Sequence, residues 1–119
     1  MNTQQDFQCL SIARAMEYIG DETSLLSLLH TLRQSLKQDL PRIEQCLAAG
    51  NVPGANELLH QLKGFTPVFC TDMLIKGVVS VEALSKHAPA EEVRQAYAKL
   101  APALAQLQDE VDRHIAANP

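Results

Sequence analysis

Within the run ELLHQLKGF, residues 57–65, a histidine, a lysine and a glycine stand at the spacing H-x-x-K-G among leucines. Imidazole changes charge close to neutral pH, and its neutral form is a nitrogen nucleophile. What His60 can do depends on which way a helix turns it. On a wheel of about 100° per residue, with Leu58 at zero, Leu59, Leu62, Phe65, Thr66 and Phe69 share one apolar face. His60 falls at about 200°, nearly opposite, with Lys63, Pro67 and Gly64 at roughly 140°, 180° and 240°. The imidazole therefore points to solvent among those three residues. An interior glycine costs a helix about 1 kcal/mol relative to alanine. Placed one turn after an outward histidine, it clears the space over the ring, as close approach by another macromolecule requires. A solvated histidine beside a lysine is the plain alternative, but it leaves Gly64 unexplained. His30, His87 and His114 have no comparable setting and read as surface or seam residues.

Helical periodicity runs nearly end to end and supplies the elements that hold this motif. A short first helix, at about 5–19, follows from Phe7, Leu10, Ala13 and Met16 and is stopped by Gly20. Asp21 caps a second helix whose apolar series, Leu25, Leu28, Leu29, Leu32, Leu36, Leu40, Ile43 and Leu47, keeps one phase across Pro41. One long helix kinked near Pro41 is expected, with a break at Asp39 as the alternative. Gly50 ends it. Asn51 and Pro53 open the third helix, which carries the motif and loosens near Pro67. A fourth, from about 71 to 86, has Leu74, Val78, Val81 and Ser85 on its inner stripe. The last begins near Ala90, with Val93, Tyr97, Leu100, Leu104, Leu107, Val111 and Ile115 as a bundle seam and Pro102 on its outer side. Short loops make neighbours antiparallel. The predicted fold is all-α: an antiparallel four-helix bundle over about 21–116, with an additional short N-terminal helix.

Composition narrows the function classes. The 119 residues suit one domain with a single core, and 46% apolar residues with only 4% aromatic make that core aliphatic. A net charge of −4, with no basic stripe or stacking platform, argues against nucleic acid. No apolar run suffices to span a bilayer, and MNTQQDF lacks the regions of a signal peptide. Cys9, Cys46 and Cys70 are odd in number, far apart and without a C-x-x-C pair, which favours buried thiols in a reducing cytoplasm over a metal site.

The residues His60-Gln61-Leu62-Lys63-Gly64 resemble the H-x-L-K-G signature of histidine phosphotransfer (HPt) domains, the relay modules of multistep two-component signalling. The likeness extends along the chain. Ile19-Gly20-Asp21 followed by Leu25-Leu26 and Leu28-Leu29 is similar to the family's opening, and Gly50-Asn51 to its turn about ten residues before the histidine. Leu74, Val78 and Val81-Glu82 fall where the family's next helix has its L…C…LE pattern. The chain differs in having Phe65-Thr66-Pro67 after the K-G, where small residues are usual, and Cys70 in place of a glycine. Pro67 also removes a backbone donor to the Lys63 carbonyl. These departures bear on the docking surface and partner choice, and leave the nucleophile in place.

The resemblance implies a single HPt domain over 1–119 in which His60 accepts a phosphoryl group from a receiver-domain aspartate and passes it to another. It implies that Lys63 offsets the incoming charge, that Gly64 gives clearance, and that Glu82 accepts from Nδ1–H to fix the tautomer leaving Nε2 free. An exposed Glu82 paired with Lys86 at i+4 is the alternative for that residue, and a solvated lysine without a role the alternative for Lys63. Lys86 holds a position that is basic in some relatives. No cofactor is expected on this chain, since Mg²⁺ and the acidic pocket belong to the receiver. The implied partners are response-regulator receiver domains and a hybrid sensor histidine kinase, for a cytoplasmic monomer touching neither nucleic acid nor membrane. Two other functions compete: the phosphotransfer domain of a chemotaxis-type histidine kinase, and a non-phosphorylated helical adaptor that binds receivers.

Overall fold

The computed structural model describes residues 7–119. Five helices make up the fold: α1 Ile12–Ile19, α2 Glu22–Ala48, α3 Val52–Phe69, α4 Asp72–Leu84 and α5 Ala90–Ala117. No strand forms among the described residues; one isolated antiparallel bridge joins Leu10 to Cys70. None of these helices is long and apolar enough to cross a membrane.

The boundaries follow from local chemistry. Gly20, at φ 94°, takes the left-handed conformation that closes α1, and its N–H donates to the Met16 carbonyl. Asp21 then caps α2 by accepting from the Ser24 N–H at 2.8 Å, and this bond is the main reason its carboxyl sits below the usual range. Gly50, at φ 75°, turns the chain out of α2, and the Asn51 side chain caps α3 by accepting from the Gly54 N–H at 3.0 Å. A cap of this kind is worth about 1 kcal/mol.

α2 remains one helix through Pro41, without a break at Asp39, and α3 and α5 likewise run through Pro67 and Pro102. All three prolines are exposed, so the missing donor and the crowded carbonyl face water, where a helix can open slightly without losing its inner contacts. On α2 those inner contacts come from Leu25, Leu29, Leu32, Leu36, Leu40, Ile43 and Leu47, an unbroken buried stripe on both sides of Pro41. Leu28, read as part of that series, is instead 43% exposed. Burying each such leucine contributes about 1.5–3 kcal/mol against the entropy of folding.

One contiguous core results. α2 packs on α3 and α5, α4 packs on the same two helices, and α1 rests against α2 and α3. Gly77 lets α4 come close to α5: a Cβ there would lie 2.8 Å from the Leu100 Cδ1. The three cysteines are free, with Cys9 and Cys70 buried and Cys46 half-buried. Burial pushes the Cys9 thiol up to about 11 and the Cys70 thiol higher still, which keeps both protonated and unreactive.

The N-terminal segment departs from its sequence pattern. The spacing of Phe7, Leu10, Ala13 and Met16 predicts a helix from about residue 5. Residues 5 and 6 lie outside the described residues, and 7–11 are not helical. The helix starts only at Ile12, where the Ser11 hydroxyl accepts from the Arg14 N–H, and it buries Ile12 and Ala15 while Ala13 is exposed. A distant carboxylate explains the delay. Glu110 of α5 is fully buried and accepts from the backbone N–H groups of Gln8, Cys9 and Leu10 at 2.9, 2.9 and 2.8 Å, and from the Gln106 amide at 2.9 Å. Leu10 then pairs with Cys70, while Thr71 N–H donates to the Cys9 carbonyl and Ser11 N–H to the Phe69 carbonyl. Donors satisfied in this way have nothing to gain from a helix.

Candidate functional site around His60

α3 and α4 carry the site on adjoining surfaces. The buried side of α3 is Ala55, Leu58, Leu59, Leu62, Thr66 and Phe69, and His60 stands on the other side with its side chain 70% exposed. Phe65 is half-buried and lines a shallow apolar groove of about 200 Å³ with Leu28, Leu32 and Phe69. Pro67 is exposed.

Glu82 meets the histidine from the last turn of α4. Its Oε2 lies 3.4 Å from the His60 Nδ1, an ion-pair contact longer than the usual N–H···O hydrogen bond of about 2.7–3.2 Å. The carboxylate is only 1% exposed, so it is not the exposed surface acid of the alternative reading. Lys63 and Lys86 place their ammonium groups 3.3 and 3.5 Å from the other oxygen, Oε1. The i+4 pairing of Glu82 with Lys86 therefore exists together with the histidine contact and does not exclude it. Burial alone would raise the Glu82 carboxyl. The Lys63 hydrogen bond and charge, then Lys86 and His60, outweigh burial and hold it below the usual range. Glu82 is consequently ionised at neutral pH, in a setting where its charge is poorly screened.

Two residues extend this arrangement beyond what the sequence pattern indicates. The Asn56 amide donates to the Ser85 hydroxyl at 2.8 Å and lies 3.4 Å from the Glu82 carbonyl and 3.5 Å from its Oε2. Ser85 in turn donates to the Glu82 carbonyl at 2.6 Å. Asn56 stands four residues before His60, one turn away on the same side of α3, and that spacing is the signal that marks it. Ser85 fits the inner stripe, but α4 ends at Leu84, so Ser85 and Lys86 act from the turn that follows.

Gly64 has no internal reason to be glycine. A Cβ built on it meets nothing within 4 Å, in contrast to Gly77. His30 and His114 lie apart from the cluster, and His87 lines the groove next to Lys86. His30 and His87 are exposed, and His114 is buried near Phe7 with no partner for its Nδ1 among the described residues. Among the described residues no group of three or more His, Cys, Asp or Glu side chains is placed to hold a metal ion.

The structure thus brings together His60, Lys63, Glu82 and Lys86, with Gly64 exposed on the same helix and Asn56 and Ser85 bonded at the Glu82 backbone carbonyl. Chemically this is an accessible imidazole with one nitrogen directed at a buried anion and two cations beside it. Compared with known proteins, the chain matches no family model, no curated protein and no solved structure.

Proposed function

We propose that this chain is a phosphorelay intermediate of the histidine phosphotransfer type, built as an antiparallel four-helix bundle with α1 laid across it. The observation that carries this reading is the Nδ1 of an exposed His60 lying 3.4 Å from a buried, ionised Glu82. A carboxylate there favours the tautomer with hydrogen on Nδ1 and leaves the Nε2 lone pair to attack. That lone pair forms a bond to the phosphorus of a receiver's aspartyl phosphate as the P–O bond breaks, and the electron pair departs on the aspartate carboxylate. Lys63 and Lys86 offset the charge of the phosphoryl oxygens, and Gly64 leaves room for the receiver. Mg²⁺ would come with the receiver, and the domain itself contributes positioning rather than kinase or phosphatase chemistry. The partners are receiver domains, one of them on a hybrid sensor kinase, and the setting is cytoplasmic.

The test is transfer of label. The domain is incubated with a phosphorylated receiver and, separately, with a chemotaxis-type kinase core and ATP. Acid-labile, base-stable label from the receiver, absent in His60→Gln, is the expected result. Label only from the kinase core moves the protein to the chemotaxis class. No label from either donor, with receiver binding retained, leaves a helical adaptor.

A further inference from the structure

The two oxygens of Glu82 are divided between different tasks. Oε1 takes both ammonium groups, while Oε2 faces the imidazole Nδ1 at 3.4 Å and the Asn56 amide at 3.5 Å. The ring is open to solvent, yet the anion beside Nδ1 is enclosed; the Asn56 amide reaches its Oε2 at 3.5 Å, and Ser85 donates to the Glu82 backbone carbonyl. Such a charge acts on Nδ1 whatever happens at Nε2.

What happens at Nε2 changes the ring. After phosphorylation Nε2 carries the N–P bond and Nδ1 keeps its proton, so the ring is cationic. In onward transfer an acceptor carboxylate oxygen attacks phosphorus, the P–N bond breaks and its electron pair returns to Nε2. With the Nδ1 proton in place a neutral imidazole departs. Without it the departing group is an imidazolate, a far stronger base and a poorer leaving group.

We propose that Glu82 holds the Nδ1 proton on phosphorylated His60 and thereby keeps the residue able to give its phosphoryl group away, beyond fixing the tautomer that receives it. This rests on His60 being the phosphoacceptor and assigns Glu82 to the donating half of the relay as a positioning residue. Glu82 from α4 is the charged group at the ring, and Lys63 from α3 and Lys86 from the turn after α4 gather at its other oxygen. Helix α5 supplies no charged partner within 4 Å of His60 or Glu82 among the described residues. His87 lies beyond Lys86 along the adjoining groove. The lysines repel a cationic ring, and Glu82, with Oε2 3.4 Å from Nδ1, attracts it. A carboxamide at position 82 keeps an acceptor for Nδ1–H and removes only the charge.

The test phosphorylates the full chain with phosphoramidate, which needs no partner protein, and follows the Nδ1 titration of phospho-His60 by ¹⁵N and ³¹P NMR. The midpoint is expected to fall by about one pH unit in Glu82→Gln and to rise in Lys86→Met, where one opposing charge is gone. Onward transfer to a receiver should then decline at correspondingly lower pH in Glu82→Gln. An unmoved midpoint in Glu82→Gln, with label on His60, overturns the inference and leaves the phosphoacceptor reading intact. Should Glu82→Gln not fold, Lys86→Met decides, and a midpoint unchanged or lowered there is equally fatal. If neither phosphoramidate nor a phosphorylated receiver labels wild-type His60, the reading beneath falls and the inference with it.

Discussion

The His60 side chain is 70% exposed and that of Glu82 1%, yet Nδ1 and Oε2 lie 3.4 Å apart. One imidazole edge is thus anchored in a setting fixed by the protein, while the remainder of the ring is available to a partner. This junction between α3 and α4 motivates the tests that follow.

Gly64 should separate stability from function. Nothing surrounds its missing Cβ, so Gly64→Ala should raise stability by about 1 kcal/mol, read as a higher urea midpoint. A bulkier Gly64→Gln should fold equally well and slow labelling of His60 by a phosphorylated receiver at least about tenfold, equivalent to about 1.4 kcal/mol of lost approach. Normal labelling of the glutamine variant would show that no macromolecule passes over this position.

The two lysines should behave as a coupled pair. Lys63→Met or Lys86→Met alone leaves Glu82 one ammonium and should cost under about 1 kcal/mol. The double change should cost more than the sum, because it leaves a buried carboxylate without a countercharge. The pH slope should also reverse. In the wild type the carboxyl lies below its unfolded value, so its contribution is present above that value and lost as pH falls through the folded one. With both lysines gone, burial dominates and raises the carboxyl, so acidification stabilises the variant relative to wild type. Urea titrations at pH 7 and pH 5 read both effects.

Glu110→Gln should weaken the attachment of the N-terminal segment. Burial works to raise this carboxyl, but the three backbone N–H groups and the Gln106 amide hold it below the usual range. Its contribution is therefore complete above the unfolded value of about 4.3 and is lost as pH falls through the lower folded value. Replacing a carboxylate that accepts four hydrogen bonds should cost about 2 kcal/mol or more. Amide exchange should rise first at Gln8, Cys9 and Leu10, and protection there equal to wild type would contradict the assignment.

His114 supplies an acid sensitivity at higher pH. Burial lowers its basicity, and the Glu22 charge only partly opposes this. A histidine with a depressed folded value contributes fully above the unfolded value of about 6.5 and loses that contribution as pH falls towards the folded one. Stability should therefore drop as pH falls below about 6.5, and His114→Leu should flatten that slope. Its ring meets Phe7 edge-on at 6.4 Å, so loosening near Phe7 should accompany the drop.

The helices were legible because their signals are local. Gly20-Asp21 and Gly50-Asn51 mark turns through backbone conformation and capping, and the leucines of α2 repeat in one phase across Pro41. The first helix was misread because Phe7 and Leu10 have helical spacing, while the residue that claims the neighbouring N–H groups is Glu110, about a hundred positions away. No local pattern records that partner. The outward direction of His60 followed from the wheel, but the burial of Glu82 did not. A wheel ranks faces by hydrophobicity, whereas Glu82 is buried because Lys63 and Lys86 neutralise it from α3 and from the turn after α4. Asn56 could have been found from its place one turn before His60.

The grip of Glu110 on residues 8–10 closes almost the whole chain into one loop, beside the shorter loop closed where Leu10 pairs with Cys70. Closing so long a loop carries an entropic cost that grows only logarithmically with length, and opening it would expose Cys9 and Leu10, which are buried in the core. Damage at one end is then felt at the other. A chain cut short before Glu110 should show its first sign of injury near Leu10, as increased protease sensitivity a hundred residues from the cut.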